Sequence, residues 1–270
     1  MIPTVPASSA PGTHAEGNDK AIIDYSNTRD GYIMAKFLTE TNLDIRLLIT
    51  APDGTLYTYA LHPGRFEAFP LSDGNGTYTI GVFENIVDSR YAQVVTATIN
   101  VVLNNEFAPF LRPNQQVYYT ENSEAVRVAA MLTSGSTDVM EKIVSIYNYV
   151  ITNISYDRDR AANVTFGYIP NVDSVLQRGL GICYDYAALM AAMLRSQGIP
   201  TKMVFGYTGS FYHAWVSVYS DRTGWIENVI YFDGFEWKLV DPTFASGSNQ
   251  SSDVMDYIGN GANYIAKFHY

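Results

Sequence analysis

Hydrophobic and polar positions along the chain change period twice. From about Ala21 to Leu103 the apolar residues come in short runs rich in β-branched and aromatic side chains, among them Ile45 to Thr50, Thr55 to Leu61, Thr77 to Phe83 and Tyr91 to Leu103. Turn signals separate them: Pro52-Asp53-Gly54, Pro63-Gly64 and Asp73-Gly74-Asn75-Gly76. Strands at this spacing, with no helical pattern between them, predict an all-β antiparallel sandwich of immunoglobulin-like size over residues 20–105.

After Asn104 the period becomes helical. Asp138 with Glu141 three residues later reads as a capping pair, and Val139, Ile143, Ile146 and Val150 then fall on one helix face as far as Asn153. Cys183 to Gln197 carries Ala187, Leu189, Met190, Ala191 and Leu194 before Gly198 and Pro200, which predicts a largely buried helix. Alternation then returns in Lys202 to Tyr207, His213 to Tyr219, Ile226 to Phe232 and Phe235 to Val240, with Asp233-Gly234 as a hairpin turn. Residues 106–270 are therefore expected to form an α+β domain, helices first and sheet after.

The opening stretch, Met1 to Asp19, has Pro, Ser, Ala and Gly but no apolar period, and reads as a flexible tether. Such a tether often follows a removed export signal, so the expected location is extracellular or at the cell surface. The longest apolar runs stop short of the ~18 residues that suggest a membrane span, which leads us to expect a soluble polypeptide.

Charge narrows the partners. With 27 acidic and 17 basic residues the formal net charge is -10, and no basic stripe is available to neutralise phosphates. Nucleic acid is not an expected partner, while a protein or peptide substrate is, including one at a cell wall or surface. His14, His62 and His269 lack ligand spacing, and no acidic run resembles a calcium loop, so no metal or cofactor is expected. Asn75, Asn153, Asn163 and Asn249 begin Asn-x-Ser/Thr triplets, which arise often by chance and carry no weight.

Candidate chemistry rests on the single cysteine. A lone Cys most often packs as a small hydrophobe, but Cys183 follows Gly179-Leu180-Gly181-Ile182 and enters a helix at its first turn. Unpaired amides and the helix dipole stabilise a thiolate at such a place. His213 lies 30 residues on, opening a strand, where its ring would serve as base; Asp241, after the last strand, would orient the imidazole.

Taken together, Gly181-x-Cys183-x-x-Tyr186-Ala187, Gly198-Ile199-Pro200, Gly206-Tyr207, His213-Ala214-Trp215 and Trp237-x-x-x-Asp241-Pro242-Thr243 resemble the transglutaminase-like core, over roughly residues 138–245. The resemblance implies a papain-like Cys-His-Asp triad and a thioester intermediate formed by Cys183 at an amide or ester carbonyl. It implies a cysteine peptidase or amidase, with a crosslinking transglutaminase as one alternative and a non-catalytic surface-binding protein as another. The Cys183 backbone N–H is a natural oxyanion donor, and Tyr156 and Tyr168 are candidates for the second. Tyr156, Tyr168, Tyr184, Tyr212 and Trp215 are the candidate substrate-binding aromatics, with Arg158 to Asn171 and Gly209 to Tyr212 as groove walls.

Overall fold

The structure, a computed structural model, describes residues 5–227 and 264–270, and the backbone alone of 230–232 and 237–239. It divides into two compact units, Ala7–Pro109 and Phe110–Tyr270.

The first unit holds β1 (Ala15–Gly17), β2 (Ala21–Asp24), β3 (Tyr32–Phe37), β4 (Ile45–Thr50), β5 (Leu56–Ala60), β6 (Glu67–Pro70), β7 (Gly76–Val87) and β8 (Arg90–Val101). They form two four-stranded antiparallel sheets, ordered β1-β2-β3-β6 and β5-β4-β7-β8. In β4 the burial alternates strictly, with Ile45, Leu47 and Ile49 inside, as the period-2 pattern requires. Tyr59 from one sheet meets Phe69 from the other edge to face at 4.9 Å, and both rings are buried.

The expected tether is corrected from Ala7 onward, because that segment is part of this unit. The buried Asp24 carboxylate accepts the Gly12 N–H at 2.6 Å, the Asn27 amide donates to the Ser9 carbonyl at 2.8 Å, and Ala15–Gly17 pairs with β2. Composition could not reveal this, since the segment is held by pairing with β2 and by side chains 12 and 18 residues downstream.

The second unit opens with α1 (Glu124–Thr133) and α2 (Val139–Asn153), followed by β9 (Ser155–Tyr156), α3 (Arg158–Asn163), α4 (Val172–Arg178), β10 (Leu180–Gly181) and α5 (Cys183–Ser196). Asp138 caps α2 as expected, its side chain accepting from the Met140 and Glu141 amides. Next come β11 (Thr201–Thr208), β12 (Phe211–Ser220), β13 (Gly224–Ile226), β14 (Ile230–Phe232), β15 (Trp237–Leu239) and β16 (Tyr264–His269). One sheet is ordered β13-β12-β11-β16, and β14 pairs with β15. Three helices, α1, α2 and α4, pack around α5, which also lies on β11 and β12. From Tyr184 to Ser196 every residue of α5 is buried. This unit is α+β, helices first and antiparallel sheet after, preceded in the chain by the all-β unit.

Two details differ from expectation. His213 is the third residue of β12 rather than its first, because Phe211 and Tyr212 extend the pairing with Tyr207 and Thr208 towards the hairpin tip. The expected strand Ile226 to Phe232 is two strands, β13 on the β12 edge and β14 paired with β15. The Asp233-Gly234 turn lies outside the described residues.

Candidate active site

The approach to Cys183 is built from two short strands and a buried carboxylate. Ser155–Tyr156 runs parallel to Leu180–Gly181, held by the Ser155 N–H on the Gly179 carbonyl at 2.8 Å and the Asp157 N–H on the Gly181 carbonyl at 2.9 Å. Gly179, at φ 60°, ends α4 in the left-handed region and turns the chain into this bridge. Gly181 is required for space, because a Cβ there would sit 2.7 Å from that of Asp185.

Asp185 is wholly buried three residues into α5. Its Oδ2 accepts the Ile182 N–H at 2.8 Å and its Oδ1 accepts the Tyr168 hydroxyl at 2.5 Å. Arg160 donates to the Tyr168 oxygen at 2.5 Å, and Tyr168 is pushed up to about 12 by burial and by its bond to Asp185. Cys183 itself is the first residue of α5, half-buried and free of disulfide.

His213 is buried on β12, directly opposite Gly206 of β11. Its ring stacks near that of Trp215, centroids 6.3 Å apart, two residues along the same strand face. Cys183 and His213 thus stand on adjoining elements, the start of α5 and the strand against which α5 packs. Asp241, the third expected member, lies outside the described residues, as does Asn249.

The aromatics sort by burial. Tyr212 is 54% and Tyr207 40% exposed; their rings meet edge to face at 5.4 Å. Tyr212 is pushed up to about 12, first by burial and then by Tyr207. Tyr156 is also on the surface. Two of the expected substrate-binding residues are corrected. Tyr184 is buried, donates its hydroxyl to Gln116 and packs edge-on against Phe205 at 4.9 Å. Trp215 is 2% exposed, packed against Tyr264 and over Gly206. Tyr168 is corrected as an oxyanion donor, because its hydroxyl proton is committed to Asp185.

Residues 157 to 168 line an open cavity of about 630 Å³, with Arg160, Phe166 and Tyr168 among its walls. Most of these residues fall in Arg158 to Asn171, the segment that position in the sequence suggests as a groove wall, and the acidic residue at the third helical position is the sequence signal for Asp185. Among the described residues no group of three His, Cys, Asp or Glu side chains is placed to hold a metal ion, and no helix is long and apolar enough to cross a membrane.

Residues 126–230 match the transglutaminase-like superfamily. The chain is similar to the uncharacterized protein YebA of Bacillus subtilis (strain 168), 30% identical over 129 residues, which are 38% of this chain and 17% of that protein. It is also similar to the UPF0252 protein MJ1282 of Methanocaldococcus jannaschii, 30% identical over 172 residues, 56% of this chain and 48% of that one. The chain spans less than half the length of these two relatives. Among solved structures, a candidate cysteine protease from Cytophaga hutchinsonii aligns with a TM-score of 0.43 and 14% identity over 96% of this chain and 74% of its own. Red sea bream transglutaminase aligns with a TM-score of 0.32 and 13% identity over 78% and 48% respectively.

Proposed function

We propose that the unit containing the transglutaminase-like segment 126–230 is a cysteine-dependent acyl-transfer enzyme that acts on amide bonds of proteins or peptides. The observation that carries this reading is the position of Cys183 at the first turn of α5, on an approach fixed by Gly181 and Asp185, with α5 packed on the strand that bears His213. A helix start stabilises a thiolate through its dipole and unpaired amides.

In this reading the Cys183 thiolate attacks the amide carbonyl, forming an S–C bond, and His213 gives a proton to the departing amine as the C–N bond breaks. Water, deprotonated by His213, then cleaves the thioester. Asp241 is assigned the orienting role, on the resemblance of the Asp241-Pro242-Thr243 segment. Hydrolysis is favoured over crosslinking because water needs no acceptor site, whereas an amine acceptor needs a second groove and exclusion of water.

Glutamine-containing peptides incubated with the protein, with and without a primary amine, and followed by mass spectrometry test this. Release of the hydrolysed product in both mixtures, abolished in Cys183→Ala, is expected. Amine incorporation exceeding hydrolysis would reassign the chain as a transamidase, and no product from any peptide would favour a binding role.

A further inference from the structure

We propose that Asp185 and Tyr168 are positioning residues that set the direction of the Cys183 backbone N–H, the oxyanion donor of the reaction. This rests on the acyl-transfer reading above.

Ile182, the residue before the nucleophile, is pinned at both ends. Its N–H is held by Asp185 Oδ2 at 2.8 Å and its carbonyl accepts the Tyr186 N–H at 3.0 Å. The Ile182 carbonyl and the Cys183 N–H belong to one planar trans peptide, so they point in opposite directions. With the carbonyl drawn along α5, the Cys183 N–H projects outward from the helix start, where no intrahelical acceptor exists. That direction is where a tetrahedral oxyanion on a Cys183-bound carbon needs a donor.

Asp185 can hold Ile182 only if its second oxygen is also satisfied, because a buried carboxylate with a free oxygen is costly. Tyr168 supplies that bond at 2.5 Å and is itself fixed by Arg160. Arg160 lies 3.7 Å from the Asp157 carboxylate, and the Asp157 N–H closes on Gly181. The chain of contacts therefore begins in the wall of the open cavity, crosses to Asp185 and ends on the Ile182 N–H, one peptide before the one that carries the Cys183 N–H. No member touches the reacting atoms in this assignment; each acts through the backbone.

Two reactions of Cys183 separate positioning from mere folding or from thiolate supply. In acylation by p-nitrophenyl acetate the thiolate adds to the ester carbonyl, forming the S–C bond and an oxyanion, which then collapses as the ester C–O bond breaks and p-nitrophenolate leaves. Alkylation by iodoacetamide occurs at a saturated carbon and forms none. For Tyr168→Phe, kcat for acylation is expected to fall about 10- to 100-fold, less than the ~10²- to 10³-fold for outright loss of a donor. KM and the iodoacetamide rate stay unchanged. Asp185→Asn is the second variant, read by the same ratio of acylation to alkylation after its melting curve confirms folding. An unchanged ratio in Tyr168→Phe, in a wild-type protein that acylates, overturns the positioning role alone. A wild-type Cys183 that neither acylates nor alkylates overturns the acyl-transfer reading and this inference with it.

Discussion

Gly206 faces His213 across β11 and β12, and no other residue fits at its position. A Cβ there would stand 2.1 Å from the Ile265 carbonyl oxygen and 2.7 Å from the Trp215 ring. The pairing of β11 with β16 shifts register between Phe205 and Gly206 to admit this approach. The buried histidine thus lies in a sheet locked on its far side by a third strand.

Gly206→Ala is therefore expected to destabilise the unit by about 1 to 3 kcal/mol, since the obstructing atom is backbone and cannot swing away. Urea unfolding measures the loss. A variant as stable as the wild type would mean that β16 yields without cost.

Arg195 is buried and carries its charge among backbone carbonyls, donating to Thr201 at 2.9 Å, to Arg112 at 3.0 Å and to Tyr270. Burial lowers it to about 10. Arg195→Met removes the donors while leaving the acceptors enclosed, so a loss of about 3 kcal/mol is expected in urea unfolding. The C-terminal strand is tied to the same point, because Tyr270 and Met203 exchange both backbone hydrogen bonds. Limited proteolysis of this variant is expected to begin there.

Tyr184 and Tyr212 are both near the nucleophile in sequence or space, yet they separate by burial. Tyr184→Ala removes a buried ring and is expected to cost about 3 to 5 kcal/mol. Tyr212→Ala, half-exposed, is expected to leave the melting temperature nearly unchanged and to raise KM for peptide substrates. Thermal melts and steady-state kinetics on the two variants check the pair; a reversed pattern would exchange their roles.

What was legible in the sequence was local. The α2 cap at Asp138, the break of α5 before Pro200, and the strands either side of Gly209-Ser210 each depend on residues within a few positions of one another. Burial of individual aromatics is not legible, because a count of tyrosines does not say which ones face another element; in the sequence alone Tyr184 and Trp215 are indistinguishable from groove residues. The Tyr168 to Asp185 bond spans 17 positions and joins a loop to a helix start, a contact that no periodic pattern encodes. Strand β16 is not legible because Tyr264-Ile265-Ala266-Lys267-Phe268-His269 lacks a clean alternation, and its place is set by Gly206 far upstream.

Alkaline pH offers a separate check. Tyr168 and Tyr212 are both raised to about 12 in the folded protein, first by burial, against about 10 in an unfolded chain. Between these values the unfolded state releases protons that the folded state keeps, so stability present below pH ~10 is lost as pH rises towards ~12. Tyr168→Phe is expected to flatten that decline. Urea midpoints across this range measure it, and an equal slope in both proteins would show that Tyr168 does not contribute.

The central assignment, Cys183 as a nucleophile served by His213, is tested most directly by the rate of iodoacetamide labelling at pH 6.5 in the wild type and in His213→Ala. A rate at least tenfold above that of free cysteine, lost in the variant while its melting curve is retained, is the expected result. Labelling no faster than free cysteine, and indifferent to His213, would contradict it.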